Sequence, residues 1–291
     1  MPRVCVTGAH GLLGSALVPY LQSRGYDVII APGRPRTAES VDLLQSAHAQ
    51  RVLDAVRPDF IVNLAALTDV DYCETHPDEA YRVNAGLVLN LVQWIESASS
   101  PARLIQISTD QVYEGEGPHV EARICPTNFY GYSKCLAEEY VRRVAGTSLR
   151  TNFFGRSAAT GRKSFSDWIV AAIRAQQSIT VFDDVFFSPL ALPTLVQSIE
   201  LVMRKPKGGV FNLGSSGGMS KANFAFQMAE AAGLPTTYFT RASVASRSLV
   251  ARRPRDMRMN SQAFAAEFDA PEFGLTDEID RVARGYRDAD R

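Results

Sequence analysis

Short apolar runs with no polar alternation recur along this chain, and each is followed by a stretch whose apolar positions fall at helical spacing. Arg3 to Thr7, Tyr26 to Ala31, Asp59 to Asn63, Arg103 to Ile107 and Ser148 to Asn152 read as strands. Strands apolar on both faces belong in a sheet covered on both sides. Their alternation with helices predicts an α/β fold built on a doubly wound parallel sheet. Helices are expected after the first strand to about Arg24, up to Arg57, from about Pro77 to Ser97, and from Tyr130 to about Ala145. The later pattern is mixed: a helix near Ser164 to Gln177, a strand at Ile179 to Phe182, a helix ending at Arg204, a strand at Val210 to Leu213, and a helix opened by Ser220. A last helix is expected from about Thr276 to Arg287. The expected division is a sheet domain over 1–155, joined by parts of 179–213, and a small C-terminal mixed α/β lobe from 156–178 and 214–291.

The candidate chemistry gathers at strand ends. Gly8-Ala9-His10-Gly11-Leu12-Leu13-Gly14 joins the first strand to its helix. Glycines in that place let backbone approach a pyrophosphate, and the helix N-terminus offers it unpaired N–H groups. The spacing is G-x-x-G-x-x-G rather than the usual G-x-G-x-x-G, and a plain tight turn is the competing reading. After the second strand, where a site for NAD carries an acidic residue against the ribose hydroxyls, stand Arg34 and Arg36. They suit the 2′-phosphate of NADP, or else form a solvated basic loop. Asp42 either accepts from an adenine amine or caps the next helix. Leu64-Ala65-Ala66-Leu67 follows the third strand, where small residues permit a ligand close to the sheet edge. Asn84 falls inside the long helix, and a buried amide there is expected to tie down backbone rather than touch substrate. Ser108-Thr109-Asp110-Gln111 brings hydroxyls and a carboxylate to the same edge.

Tyr130 and Lys134 stand four residues apart and share a helical face. A tyrosine in water has a pKa of roughly 10, and a fixed cation nearby favours the phenolate. Bringing it to neutrality takes about 4 kcal/mol of differential interaction. Near the end, Arg252, Arg253, Arg255 and Arg258 put four guanidinium forks into seven residues. They either grip a diphosphate or form a charged surface loop.

Composition removes some partners. The 31 basic residues balance 31 acidic ones among 291, so no electrostatic footprint for nucleic acid or anionic membrane is present. Cys5, Cys73, Cys125, Cys135 and four histidines fall in no metal-ligand spacing, and free thiols in a reducing compartment are expected, with no metal. The opening apolar run is too short for a signal peptide and no run reaches about 18 apolar residues, which predicts a cytoplasmic protein.

Gly8-x-x-Gly11-x-x-Gly14, Thr109 and Tyr130-x-x-x-Lys134 together resemble the extended short-chain dehydrogenase/reductase family. Within it the chain is similar to the dTDP-4-dehydrorhamnose reductase group, through Arg57 to Ala66 with Asp69-Val70-Asp71, Ser108-Thr109-Asp110-x-Val112-Tyr113, Asn128 to Gly131, and the segment from Arg253-Pro254 to Asn260. The resemblance implies a Rossmann domain holding NADPH, with NADH as the alternative, and a nucleotide-diphosphate sugar as substrate. It implies Tyr130 as proton donor, Lys134 holding the nicotinamide ribose and lowering the phenol's pKa, and Thr109 bonding the substrate oxygen. Gly11, Leu12 and Leu13, flanked by Gly8 and Gly14, would line the pyrophosphate turn, Asp42 and Leu43 the adenine, and Ala65, Ala66 and Leu67 the nicotinamide half. Asp110, Asn152 and Phe153 would face the sugar, and Arg253 and Arg255 its diphosphate. Gln111 and Asn152-Phe153 depart from the aromatic and the Ser-Trp pair of the rhamnose enzymes, which leaves the sugar open. The activity implied is NADPH-dependent reduction of a nucleotide-linked 4-keto-6-deoxy sugar, in a homodimer formed through the helices at about 77–97 and 134–145. Two alternatives remain: a non-catalytic NADP-binding regulatory subunit, like that of methionine adenosyltransferase, and a nucleotide-sugar 4-epimerase with tightly held NAD.

Overall fold

The computed structural model of the chain describes residues 1–31 and 43–288. In its first half Arg3–Thr7 (β1), Leu12–Ser23 (α1), Asp27–Ile30 (β2), Ser46–Val56 (α2), Phe60–Asn63 (β3), Val70–Thr75 (α3), Pro77–Tyr81 (α4), Leu87–Ser97 (α5), Arg103–Thr109 (β4), Phe129–Arg142 (α6) and Thr147–Thr151 (β5) follow one another. Then come Phe153–Phe154 (β6), Phe165–Arg174 (α7), Ile179–Phe182 (β7), Phe186–Phe187 (β8), Leu190–Ala191 (β9), Leu192–Arg204 (α8), Gly209–Asn212 (β10), Met219–Ser220 (β11), Lys221–Ala231 (α9), Phe239–Ala242 (β12), Gln262–Phe268 (α10) and Leu275–Asp288 (α11).

Six strands form one sheet in the order β10-β5-β4-β3-β1-β2, and every pairing in it is parallel. The chain starts at β1, runs to one edge through β2, and returns through β3 to the other, so a topological switch lies beside β1. Open α/β sheets bind their ligands at such a point, beyond the strands' C-terminal ends. Helices α1 and α8 pack on one face, around Leu17, Leu21, Leu195 and Ile199, and α2, α5 and α6 cover the other through Leu53, Leu91 and Val141. Burial on both sides explains the absence of alternation: β5 is buried at all five positions and β4 at six of seven.

The lobe has its own core, where Phe154, Phe187, Phe224 and Met228 fill the space among α7, α9 and α11. It is edged by the parallel pair β7 and β12 and the antiparallel pair β8 and β11. The segment expected to join the sheet domain divides: α8 and β10 do so, whereas β7 lies in the lobe.

The single helix expected over 77–97 is interrupted. A π-helical turn, Arg82–Gly86, separates α4 from α5. The buried Asn84 lies in that turn: its Oδ1 accepts from Leu67 N at 2.7 Å, and its Nδ2 donates to Leu67 O at 3.1 Å and to Ser133 Oγ at 2.9 Å. Ser133 Oγ in turn donates to Tyr130 O at 2.7 Å. One amide thus ties the loop after β3 to the first turns of α6. π-bulges often mark such functional places.

Candidate active site

The glycine turn is shaped for a close backbone approach. Gly8 has φ +65°, and a Cβ there would stand 2.7 Å from Ala65 N; one on Gly14 would meet the Ala9 backbone at 2.5 Å. These glycines let the turn lie against the end of β3 and let α1 start tightly upon it. Among the described residues no side chain caps α1, whose cap residue is Gly11, which leaves its first N–H groups to an anion. Leu13 is buried in the sheet core and can serve a ligand only through backbone, while Leu12 is partly buried against the same core. Ala65 N donates to Thr7 Oγ1 at 3.2 Å, and Thr7 bonds Asn63, so the lip of the cradle is anchored across β1 and β3. Together with Ala66 and the Asn84-held Leu67, this cradle fits a dinucleotide. Leu43 is buried, and its carbonyl accepts from Asn90 Nδ2 at 2.9 Å. Arg34, Arg36 and Asp42 lie outside the described residues.

Helix α6 opens on a good cap: Asn128 Oδ1 accepts from Gly131 N at 2.8 Å. That start sets the Tyr130 phenol beside the Thr109 hydroxyl at the end of β4, close enough for the hydroxyl to favour the phenolate. Thr109 Oγ1 also accepts from Gln111 N at 3.1 Å. Tyr130 is buried, and burial drives its pKa above the ordinary tyrosine value, against the smaller opposing pull of the Thr109 hydroxyl. Here the expectation from the sequence needs correcting, because Lys134 does not lower this phenol. The ammonium is turned to the sheet, with Nζ donating to Ile107 O at 2.7 Å, and its charge acts on Glu138 rather than on Tyr130. Desolvation brings Lys134 itself down to about 8.

Asp110 follows Thr109 and is 1% exposed. Burial raises its carboxyl to about 6, opposed by a 2.8 Å bond from Asn152 Nδ2 and by the charge of Lys221. Phe153, expected beside them, is partly buried and packs against the sheet-domain core, as Leu12 and Leu64 do, while Phe154 enters the core of the lobe.

Across the cleft, the segment around Ala251 to Arg253 is latched to the sheet domain. Asp71 Oδ1 accepts from Ala251 N at 2.9 Å and pairs with Arg253 at 3.0 Å, while Asn128 Nδ2 donates to Arg252 O at 3.0 Å. The Ala251 N–H, foremost, holds the Asp71 carboxyl below its ordinary range. Arg247, Arg252, Arg253 and Arg255 line a cavity of about 440 Å³ with Glu114, which pairs with Arg252 at 3.2 Å. Three of the four arginines of the terminal cluster therefore share one concavity, and Arg258 pairs with Asp256 elsewhere.

Sequence reasoning missed Asp71 as the latch and Lys221 as a neighbour of Asp110. Lys221 had a legible signal: it is a basic residue at the first position of a helix, directly after the Ser220 cap, where acids are favoured. Among the described residues no group of three or more His, Cys, Asp or Glu side chains converges, and the four cysteines are unpaired.

A dinucleotide cradle at the switch point, with Thr, Tyr and Lys from β4 and α6 beside it, defines an extended short-chain dehydrogenase/reductase. The chain belongs to the family described as the RmlD substrate binding domain, which matches residues 2–286. It is 31% identical over 242 residues to the spore coat polysaccharide biosynthesis protein SpsK of Bacillus subtilis, covering 81% of each chain. It is 29% identical over 281 residues to the bovine methionine adenosyltransferase 2 subunit beta, covering 89% of this chain and 80% of that one. The dTDP-4-dehydrorhamnose reductase of Bacillus anthracis, solved in complex with NADP, superposes with a TM-score of 0.88 at 25% identity, over 98% of this chain and 100% of that one.

Proposed function

We propose that the protein is an NADPH-dependent oxidoreductase that reduces the 4-keto group of a nucleotide-linked 6-deoxy sugar. The observation that carries this reading is the meeting of the Tyr130 phenol and the Thr109 hydroxyl at the end of β4, beside the glycine-lined cradle. Two hydroxyls together at that edge can both donate to one carbonyl oxygen. NADPH, held by the α1 turn, the Ala65-Ala66-Leu67 loop and Lys134, supplies the hydride for the carbonyl carbon when it is bound. Arg34, Arg36, Asp42 and Leu43 are assigned to its adenosine half.

Tyr130 is the proton donor. A phenol whose pKa is raised by burial is fully protonated at neutral pH, so the proton is in place before the oxygen becomes basic. Thr109 steadies the same oxygen as negative charge develops on it, and the burial of both residues makes such bonds stronger than they would be in water. Lys134 stays an ammonium below about 8, with the Ile107 carbonyl fixing its direction and two further N–H groups left for ribose hydroxyls. Arg253 and Arg255 take the substrate diphosphate, and Asp110 and Asn152 face the hexose. In this reading 1–155 with parts of 179–213 bind the cofactor, and 156–178 with 214–291 bind the sugar nucleotide.

The likeness to the methionine adenosyltransferase beta subunit sustains a second reading, a cofactor-binding regulatory subunit. A 4-epimerase would differ by retaining NAD through purification. The proposal includes a cytoplasmic homodimer with neither nucleic acid nor membrane as partner. The exposed Tyr81, Tyr132 and Leu136 on α4 and α6 suit such a pairing, and among the described residues no helix is long and apolar enough to cross a membrane. Loss of NADPH absorbance against a panel of nucleotide-linked 4-keto sugars tests the activity: oxidation with one or more supports reduction, and binding of NADPH without turnover of any supports the regulatory reading.

A further inference from the structure

The side chain of Asn128 belongs to three parts of the molecule at once. Its Oδ1 accepts from Gly131 N at 2.8 Å and so caps α6, the helix that carries Tyr130 and Lys134. Its Nδ2 donates to Arg252 O at 3.0 Å and to Gln111 Oε1 at 3.3 Å. Gln111 N in turn donates to Thr109 Oγ1 at 3.1 Å. One amide, 1% exposed, thus meets the start of the helix bearing the proton donor, the loop that holds Thr109, and the backbone that leads into Arg253. Aspartate or serine would cap α6 as well, but the amide adds two N–H donors to the cap, and both are used.

A second bridge runs beside it through α3. Glu74 Oε2 accepts from Phe129 N at 2.8 Å, and Asp71, one turn earlier, accepts from Ala251 N at 2.9 Å and pairs with Arg253 at 3.0 Å. Residues at that spacing share a helical face, so α3 gives one carboxylate to the start of α6 and another to the arginine segment. Two polar bridges therefore set the spacing between Arg253 and Tyr130. We propose that Asn128 is a positioning residue that couples the seat of the substrate's diphosphate to the proton donor, so that seating the nucleotide end brings the carbonyl into line with Tyr130 and Thr109. The inference rests on the reductase reading above, with Arg253 as a diphosphate ligand. Binding energy from the non-reacting end of a substrate then serves the reacting end, and a misplacement of about 1 Å there costs up to about 100-fold in rate.

The test is a double-mutant cycle on the reduction of dTDP-4-keto-6-deoxy-glucose, with folding of each variant checked by thermal unfolding. Asn128→Asp keeps an oxygen to cap α6 and has no proton for Arg252 O, and Asn128→Ser keeps a capping hydroxyl on a shorter side chain. Loss of one such bond corresponds to about tenfold, so each should lower kcat/KM by about that factor, with part of the loss in kcat at saturating substrate. In the Arg253→Ala background, where the seat is already lost, the same substitutions should cost less than about threefold. A purely structural role for Asn128 would cost the same in both backgrounds, and that result overturns the coupling. A rise in KM with kcat unchanged overturns it too, because Asn128 would then serve the seat alone, and so does an Asn128→Asp protein as active as the parent. In each of those cases the parent still reduces the ketone and the reductase reading stands. A parent that binds NADPH and reduces no nucleotide-linked ketone overturns that reading, and the coupling with it.

Discussion

The side-chain amide of Asn152 donates to the Asp110 carboxylate at 2.8 Å, joining the ends of β5 and β4 on the floor of the cleft. The bond stabilises the ionised carboxylate without overcoming its burial, which leaves Asp110 titrating near 6. A carboxyl raised in the folded protein contributes stability that is fully present below its unfolded pKa of roughly 4 and is lost as pH rises through about 6. The loss is of the order of 3 kcal/mol or less. Thermal unfolding followed from pH 4 to 7 should therefore show the parent losing stability relative to Asp110→Asn across that window. Parallel curves for the two proteins would show that Asp110 is not raised.

Lys134 leads to a second pH dependence, with the same cause and a shift in the opposite direction. Desolvation favours its neutral form, so the ammonium is lost as pH rises through about 8 rather than near 10. NADPH affinity should fall above that point in the parent. In Lys134→Met it should be weaker throughout and flat over the same range. Titration calorimetry at pH 6.5 to 9.5 measures both, and an equally flat parent would remove Lys134 from the cofactor site.

Arg253 is held against Asp71 at 3.0 Å, at the mouth of the arginine-lined cavity. If this side chain grips the substrate's diphosphate, Arg253→Ala should raise KM for the nucleotide sugar about tenfold or more, with NADPH affinity unchanged within about twofold. Steady-state kinetics beside direct cofactor titration separate the two, and an unmoved KM would make the cluster a surface loop.

Arg150 and Glu138 form a fully buried ion pair at 2.6 Å, shared with Ser108 and Tyr113, that fastens α6 to β4 and β5. Arg150→Met leaves a buried carboxylate alone and should cost about 3–5 kcal/mol. Arg150→Met with Glu138→Leu should recover much of that. Urea unfolding reads both; a single variant as stable as the parent would show that the pair is not a constraint on α6.

The sheet was legible because its strands are buried on both faces, and the run from Arg3 to Thr7 was read to the residue. The glycine turn and the approach of Tyr130 to Thr109 were also legible, since each depends on local spacing or on β4 and α6 meeting at one edge. What escaped depends on distant partners. Asn84 breaks the long helix because Leu67 and Ser133 claim its amide, and nothing near Asn84 in the sequence announces them. The spacing of Tyr130 and Lys134 gives a shared face but says nothing of desolvation, which sets both pKa values. The charge of Lys221 acts on Asp110 although the two are more than a hundred residues apart in the chain.

The most direct measurement is single-turnover reduction of a nucleotide-linked 4-keto-6-deoxy sugar by Tyr130→Phe, with NADPH affinity determined on the same preparation. The substitution removes the proton donor beside Thr109 while keeping the ring among Leu67, Val70 and Phe129. A proton donor contributes typically 10²- to 10⁴-fold, so the rate should fall by an amount in that range with cofactor affinity unchanged within about twofold. Reduction at the parent rate would contradict the assignment of Tyr130 as the group that protonates the substrate oxygen.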